Sequence, residues 1–379
     1  MKTTIQREKL LSALLKATKF SSGVRTQNEN LGLFLIFEQN SITVLGINET
    51  RYFQEKIDCA LDVPQKTALT LDTKKLVEFL QNITPHEVQM SLEKNGVKIH
   101  ADKTNALFPT APRQDVPDVP QGHSNKVTLD PKVILAALPH LLFCVASDSA
   151  RPTLSSIKCI PQDNKMVLFV TTDGFRLSLV QTSFPTTLEH SLQIPANFFR
   201  DVFFSALNEN EKVDMLFHDD GKLSFAQGNM HVGTQLVPGD FPPYERVLVR
   251  NFQQNIMVSR KDLIQSTKTI AIFTREHSNI VVYEFSNSSL RIRPKKEAGE
   301  ENNTELPIEL QGQDPAGLTV AFNHRYLLDF LSAVEDDFVT IRVNRADSPI
   351  LFLAGKLDAA DPHEGASFQH IIMPVRIQE

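Results

Sequence analysis

A short strand that turns into a helix within one or two residues occurs six times in this chain. The copies are TTIQREKLLSALL from Thr3, TALTLDTKKLVEFL from Thr67, KVTLDPKVILAAL from Lys126, HSLQIPANFFRDVFF from His190, NIMVSRKDLIQST from Asn255 and LTVAFNHRYLLDFL from Leu318. Each sets apolar residues two apart, then a polar turn or helix starter, then an adjacent apolar pair that recurs at helical spacing. Between equivalent pairs at Leu10, Leu76, Ile134, Phe198, Leu263 and Leu327 the steps are 66, 58, 64, 65 and 64 residues. Taken two at a time the steps are 124 and 129, which predicts three domains of two similar halves each: 1–121, 122–251 and 252–379. The period exceeds that of solenoid repeats, so each half carries a helix and a small sheet. The predicted class is α+β, with antiparallel sheets covered on one face by helices.

Within this frame the local signals agree. In the first domain a helix near 7–19 presents Leu10, Leu11, Leu14 and Leu15 on one side, strands are expected at 31–37 and 41–46, and Asp72 is a good N-cap for a second helix. Val88, Met90 and Leu92 alternate, Asn95-Gly96 turns, and Val97 and Ile99 alternate back as a hairpin. The second domain repeats this order, and its turn glycine Gly221 lies 125 residues after Gly96. Pro139 falls inside a helical pattern, where a kink or restart is expected. FPTAPRQDVPDVPQ (108–121) and VPGDFPPY (237–244) read as extended connectors, and KKEAGEENNTE (295–305) as a polar loop.

Composition narrows the class of function. No apolar run reaches the length of a membrane span. The three cysteines, Cys59, Cys144 and Cys159, have no CxxC spacing, which suits a reducing cytoplasm and argues against disulfides or a zinc site. The formal net charge of −6 first argues against nucleic acid, but the six helical segments sum to +5 and the remainder to −11.

Three motifs then resemble one family along the whole chain. TTDGFRLS (171–178) is close to T-D-G-H-R-L-A, FPPYERV (241–247) to F-P-D-Y-R-R-V, and IIMPVRI (371–377) to V-V-M-P-M-R-L, all three from the bacterial DNA polymerase III beta subunit, the sliding clamp. The first domain matches least, with QNENLG after Arg25 where the family usually has a proline-containing loop. The resemblance implies three repeated clamp domains, each with two helices packed on antiparallel sheets, in a head-to-tail homodimeric ring whose helices line the hole. It also implies a non-catalytic processivity role in the cytoplasm, near the nucleoid, with no cofactor. Its partners would be double-stranded DNA bound without sequence preference, the replicative polymerase, the clamp loader and other proteins with a clamp-binding motif.

The residues this assigns fall into three groups. The partner-peptide cleft would be Leu154, Thr172, Gly174, Phe175, Arg176, Leu177, Pro242, Arg246, Val247, Asn323, Tyr326, Ile371, Ile372, Met373, Pro374, Val375 and Arg376, with Arg176, Asn323 and Arg246 at its rim. DNA phosphates would meet Arg7, Lys9, Lys16, Arg25, Lys74, Lys75, Lys132, Arg200, Arg260, Lys261, Lys268 and Arg325, which read otherwise as solvated charges. Phe108 against Ile272 and Phe273 would form the dimer contact, or else all three are core residues. Phe175 stands where the family usually has histidine, Ser278 where an aromatic can occur, and Gln378-Glu379 extend past the usual last residue.

Motifs of catalysis are missing: there is no P-loop, GxGxxG, HExxH or GxSxG. His218-Asp219-Asp220-Gly221 reads as a hairpin turn, and His363-Glu364 as part of a polar loop, rather than as metal sites. The alternative the sequence leaves open is a monomeric three-domain enzyme or adaptor holding a small or peptide ligand in the cleft between the second and third domains.

Overall fold

The computed structural model describes residues 2–21, 32–63, 65–70, 72–113, 119–120, 122–147, 150–185, 188, 190–249, 251–274, 278–295, 301–313, 317–356 and 367–376. Arg25, His363, Glu364, Ile377, Gln378 and Glu379 therefore lie outside the described residues, as do 296–300 of the acidic loop and 114–118 of the first connector. Among the described residues the six α-helices are α1 (Arg7–Thr18), α2 (Thr73–Asn82), α3 (Pro131–Leu142), α4 (Ala196–Asp201), α5 (Arg260–Ala271) and α6 (His324–Ala333). One helix follows each repeated strand, as the spacing predicts.

Local chemistry starts these helices where expected. The Asp72 side chain accepts from the Lys75 amide at 3.2 Å and Ser259 from the Asp262 amide at 3.3 Å. Asn323 does the same for α6, accepting from the Arg325 amide at 3.0 Å. Buried residues then recur at helical spacing, as Leu10, Ala13, Leu14 and Ala17 do on α1. Gly46 lets α1 come down onto the sheet, since a Cβ there would lie 2.3 Å from the Ala17 carbonyl oxygen.

Chain contacts gather into two compact units, residues 1–132 with 197–236 and residues 133–196 with 237–379. The first unit holds a four-stranded sheet in the order Lys2–Gln6, Glu87–Glu93, Gly96–Ala101, Thr104–Pro109. It also holds a nine-stranded sheet in the order Asn125–Leu129, Val213–Phe217, Lys222–Gln227, Met230–Gln235, Arg51–Asp58, Ser41–Ile47, Gly32–Glu38, Thr67–Thr70, Ala111–Arg113. Its centre joins Met230–Gln235 to Arg51–Asp58, pairing strands far apart in sequence. Phe34, Ile36, Leu45, Tyr52, Ala68 and Val119 pack together on this sheet.

The second unit mirrors that arrangement. Its nine-stranded sheet runs Leu192–Pro195, Ser156–Gln162, Met166–Thr172, Arg176–Ser183, Phe368–Ile372, Ile350–Ala354, Phe338–Val343, Gln254–Ser259, Glu309–Gly312. Here the long-range junction is Arg176–Ser183 against Phe368–Ile372. The four-stranded sheet is Thr304–Pro307, Ser289–Pro294, Ile280–Phe285, Leu318–Asn323. Neighbouring strands run antiparallel throughout these ladders.

Four local expectations are corrected. The helical pattern does not restart at Pro139, since one helix runs from Pro131 to Leu142 with the exposed proline inside it. The segment from Phe108 is not wholly a connector, since Thr104–Pro109 and Ala111–Arg113 are strands. The acidic stretch is not wholly a loop, as Thr304–Pro307 pairs with the strand at Ser289. The helical pattern of 195–207 divides into α4 and a π-helical turn at Val202–Ala206, closed by the Leu207 amide donating to the Val202 carbonyl at 3.0 Å.

Candidate functional site

Side chains of the TTDGFRLS segment itself shape its turn. Thr172 Oγ1 accepts from the Gly174 amide at 3.0 Å and donates to the Arg176 carbonyl at 2.6 Å. Asp173 Oδ1 accepts from the Phe175 and Arg176 amides at 2.9 and 3.1 Å. Gly174 sits at φ +95°, a conformation that β-carbon-bearing residues rarely adopt. The result points Phe175 outward, 60% exposed, and returns the chain as the strand beginning at Arg176.

Arg176 turns inward and braces three elements. Its Nε donates to Asp173 Oδ2 at 2.9 Å, Nη1 to Asp329 Oδ2 at 2.6 Å, and Nη2 to the Phe143 carbonyl at 2.5 Å. The guanidinium lies 4.4 Å from the Tyr326 ring centroid and 5.4 Å from that of Phe143. Burial disfavours its charge, but the carboxylates of Asp329 and Asp173 outweigh that and raise its pKa. Cys144, buried below, is pushed up to about 12 by desolvation, which makes it an inert core thiol.

The apolar floor follows from strand register. Leu177 pairs with Ile371 and Ile371 with Leu351, so three apolar side chains stand in a row across three strands. Val170, Leu179, Phe241, Tyr244 and Leu353 complete the buried cluster, with Val247 and Leu248 packed against it. A cavity of about 200 Å³ opens there, lined by Val247, Leu248, Val249, Phe252, Pro349, Leu351, Gln369 and Ile371. Leu154 and Ile372 are buried nearby in the same unit. Beyond Ile372 the tail is held by two backbone bonds, Met373 amide to Phe175 carbonyl at 2.9 Å and Val375 amide to Ala321 carbonyl at 2.7 Å. Pro242 is partly buried and accepts from the Tyr244 amide at 2.7 Å; Pro374 is partly buried, and Arg246, Val375 and Arg376 are exposed.

The expected peptide-cleft residues thus belong to one compact unit, with Arg176 and Asn323 engaged by their own chain and Arg246 exposed. Sequence reasoning missed Leu248, Val249, Phe252, Pro349, Leu351 and Gln369. The apolar ILFLA run at 350–354 was the only signal pointing to the strand that carries one of them.

The expected DNA-facing cations separate into two sets. Lys9, Lys74, Lys75, Lys132, Lys261, Lys268 and Arg325 are exposed, and Arg200 is 56% exposed beside Asp201. Lys16 faces Glu55 at 3.5 Å. Arg7 and Arg260 instead point at helix ends: Arg7 Nη1 donates to the Ile83 carbonyl and Arg260 Nε to the Leu331 carbonyl. Phe108 is buried against Phe79 with ring centroids 5.6 Å apart, whereas its strand neighbour Leu107 is 50% exposed. Ile272 and Phe273 are 59% and 42% exposed. Among the described residues no cluster of His, Cys, Asp or Glu could hold a metal, and no helix is long and apolar enough to cross a membrane.

This geometry has close counterparts. The family model for the DNA polymerase III beta subunit central domain matches residues 128–243, and that for its C-terminal domain matches 245–376. A beta sliding clamp of Pseudomonas aeruginosa is 23% identical over 393 residues, with all of both chains covered. One from Synechococcus elongatus is 23% identical over 329 residues, covering 84% of each. The crystal structure of the Pseudomonas aeruginosa DNA polymerase III subunit beta superposes with a TM-score of 0.86 at 21% identity, covering 99% of this chain and 100% of that one. The Thermotoga maritima beta subunit gives 0.87 at 18% identity with both chains fully covered. With two successive domain models matching most of residues 128–376 and the same fold over the full length, the chain belongs to the DNA polymerase III beta subunit family.

Proposed function

We propose that this chain is a DNA sliding clamp, a non-catalytic subunit that keeps a replicative polymerase on its template. Two copies close head to tail into a ring of six domains, with 1–121, 122–251 and 252–379 supplied by each. The helices line the hole, and the exposed lysines and arginines face phosphate without reading bases. Affinity is loose, because enclosure rather than grip holds a part that has to slide. Such a role puts the protein in the cytoplasm with the nucleoid.

The observation that carries this reading is the run of two family domain models along 128–376. Physical features support it. A head-to-tail contact closes only if its rotation closes, and sixfold internal repetition makes two copies sufficient. Apolar side chains stand exposed at two different places, Leu107, the strand neighbour of the expected but buried Phe108, in the first unit and Ile272 with Phe273 in the second, as a contact between unlike surfaces requires. The cavity beside Val247 and Ile371 takes apolar side chains of short motifs from the polymerase, the clamp loader and other partners. Two or three such side chains contribute about 1.5–3 kcal/mol each, less the cost of ordering the peptide, which gives weak contacts that exchange readily.

The test is retention on DNA. Loaded onto a nicked circle the protein stays bound, and it is lost when the circle is linearised; equal release from both forms would remove the proposal. The mass in solution should be about 85 kDa, twice the 42.6 kDa of one chain.

A further inference from the structure

Six residues beyond the apolar pair, five of the repeat units carry Lys16, Asn82, His140, Thr269 and Ala333, whereas the fourth carries Phe204, which is 51% exposed. The π-helical turn at Val202–Ala206 accounts for its presentation. It turns Phe203 into the core, where its ring lies 5.1 Å from Phe199 and 5.3 Å from Phe225, and leaves Phe204 facing outward. Such turns recur at functional sites.

The surroundings of Phe204 are basic and held firmly. Arg200, four residues earlier, is 56% exposed. Lys19, exposed at the end of α1, reaches Ser205 with Nζ 2.5 Å from Oγ, and Leu15, one turn before it, is 41% exposed. Asp201 accepts from Arg51 at 2.9 Å and from Arg200 at 3.2 Å, and Glu55 faces Lys16 at 3.5 Å, so Arg51, Arg200, Lys16 and Lys19 exceed the two carboxylates by two charges. Phe20 clamps the two segments together, edge-on to Phe198 at 6.1 Å and beneath the Arg51 guanidinium at 5.4 Å.

An exposed flat ring with a cation four residues before it and another bonded to the serine after it matches a ligand that has a flat face and anionic flanks. We propose that Phe204 is a stacking platform for an unpaired nucleobase, with Arg200 and Lys19 holding the phosphates on either side, so that the chain binds single-stranded nucleic acid here. This goes beyond the clamp reading and shares with it only the assignment of these helices as the DNA-facing surface. A base inside a duplex has both faces covered by its neighbours and cannot use the ring, whereas an unpaired one can. The same chemistry disfavours an acidic peptide, which would satisfy the cations and leave the ring uncovered.

The chain contains no tryptophan, so Phe204→Trp installs a single reporter. The full chain carrying it is titrated with oligothymidylate and with a blunt duplex of equal length at low salt. Emission should be quenched by the single strand and not by the duplex. Phe204→Ala should bind labelled oligothymidylate about tenfold more weakly at unchanged duplex affinity, and Arg200→Gln should weaken both. Both Phe204 variants should keep the wild-type melting midpoint, because the ring is outside the core. Unquenched emission with an unaltered Phe204→Ala affinity, or equal quenching by both forms, would overturn the proposal. Failure of the wild type to be retained on nicked circles, with single-strand quenching intact, would remove the clamp reading and leave this one standing.

Discussion

Arg260 closes the end of α6, its Nε donating to the Leu331 carbonyl at 2.7 Å. Arg7 repeats the device in the other unit, where its Nη1 donates to the Ile83 carbonyl and lies 3.4 Å from that of Leu80 at the end of α2. Leu80 and Leu331 are equivalent positions, each four residues after the leading leucine of its repeat, Leu76 or Leu327. The last turn of a helix leaves carbonyls without donors and concentrates partial negative charge there, so an arginine satisfies both. Replacing either arginine by alanine should lower unfolding free energy by about 1–3 kcal/mol, read as a lower denaturant midpoint. The salt dependence of DNA binding should stay as it was. Lys261→Ala, at the exposed neighbouring position, should do the reverse, leaving stability alone and reducing the log-log salt slope by about 0.9.

Arg7 and Arg260 also mark the limit of what the sequence discloses. Spacing identifies a cation at the start of a helix, but which carbonyl lies beside it depends on how a distant helix packs. Features set by neighbours in sequence were legible: the Asp72 cap, the Asn95-Gly96 hairpin, the six strand-to-helix units. Features set by remote register were not. Arg51–Asp58 looks too polar for a strand, yet it buries Tyr52, Phe53 and Ile57 between two partners. The motifs flanking the cavity could be read from the sequence, while Phe252, Pro349 and Gln369 reach it only through the fold. Nor did FFRDVFF disclose how Phe204 is presented, because a π-helical turn has no signature in the apolar pattern.

Acid should destabilise the protein through His370. The ring is fully buried, with Ser178 Oγ 2.9 Å from Nδ1, and lies between Phe143 at 5.1 Å and Phe330 at 5.7 Å. Burial first, then the nearby Arg176 charge, hold its pKa well below 6.5, against a smaller opposing effect of a backbone hydrogen bond with Leu177. The unfolded chain takes up a proton near 6.5 that the native state refuses, so stability is complete above that pH and is lost as pH falls from there towards the native pKa. His140, stacked on Phe368 at 4.3 Å and lowered by burial, acts in the same direction. Denaturant melts from pH 6.5 to 5.5 should show a loss of about 1 kcal/mol from His370, and His370→Gln should remove that share of the slope. An identical slope in the variant would show that His370 is not responsible.

The Arg176 brace should resist conservative replacement. Its three donors serve Asp173, Asp329 and the Phe143 carbonyl in three directions. A lysine has one nitrogen on a flexible stem and cannot span them. Arg176→Lys should therefore lose nearly as much as Arg176→Ala, about 3 kcal/mol, because either leaves carboxylates without their partner. Peptide affinity should fall with it, since the Thr172 to Arg176 turn positions the Phe175 carbonyl that anchors Met373. Full rescue of stability by lysine would show that charge alone, not the directed fork, matters.

Removing residues 373–379 should separate binding from folding. The strand Phe368–Ile372 keeps both neighbours, Arg176–Ser183 and Ile350–Ala354, so the sheet remains intact in the truncated chain. What is lost includes the segment tied to the Phe175 and Ala321 carbonyls by the Met373 and Val375 amides. Those two bonds contribute about 0.5–1.5 kcal/mol each, small against the stability of a chain this size. The truncated protein should melt within about 3 kcal/mol of the parent and keep its dimer mass, because Leu107, Ile272 and Phe273 are untouched. Stimulation of a polymerase should nevertheless disappear, since Met373, Pro374, Val375 and Arg376 belong to the expected peptide cleft. Undiminished stimulation by a folded truncated protein would place the docking surface elsewhere on the chain.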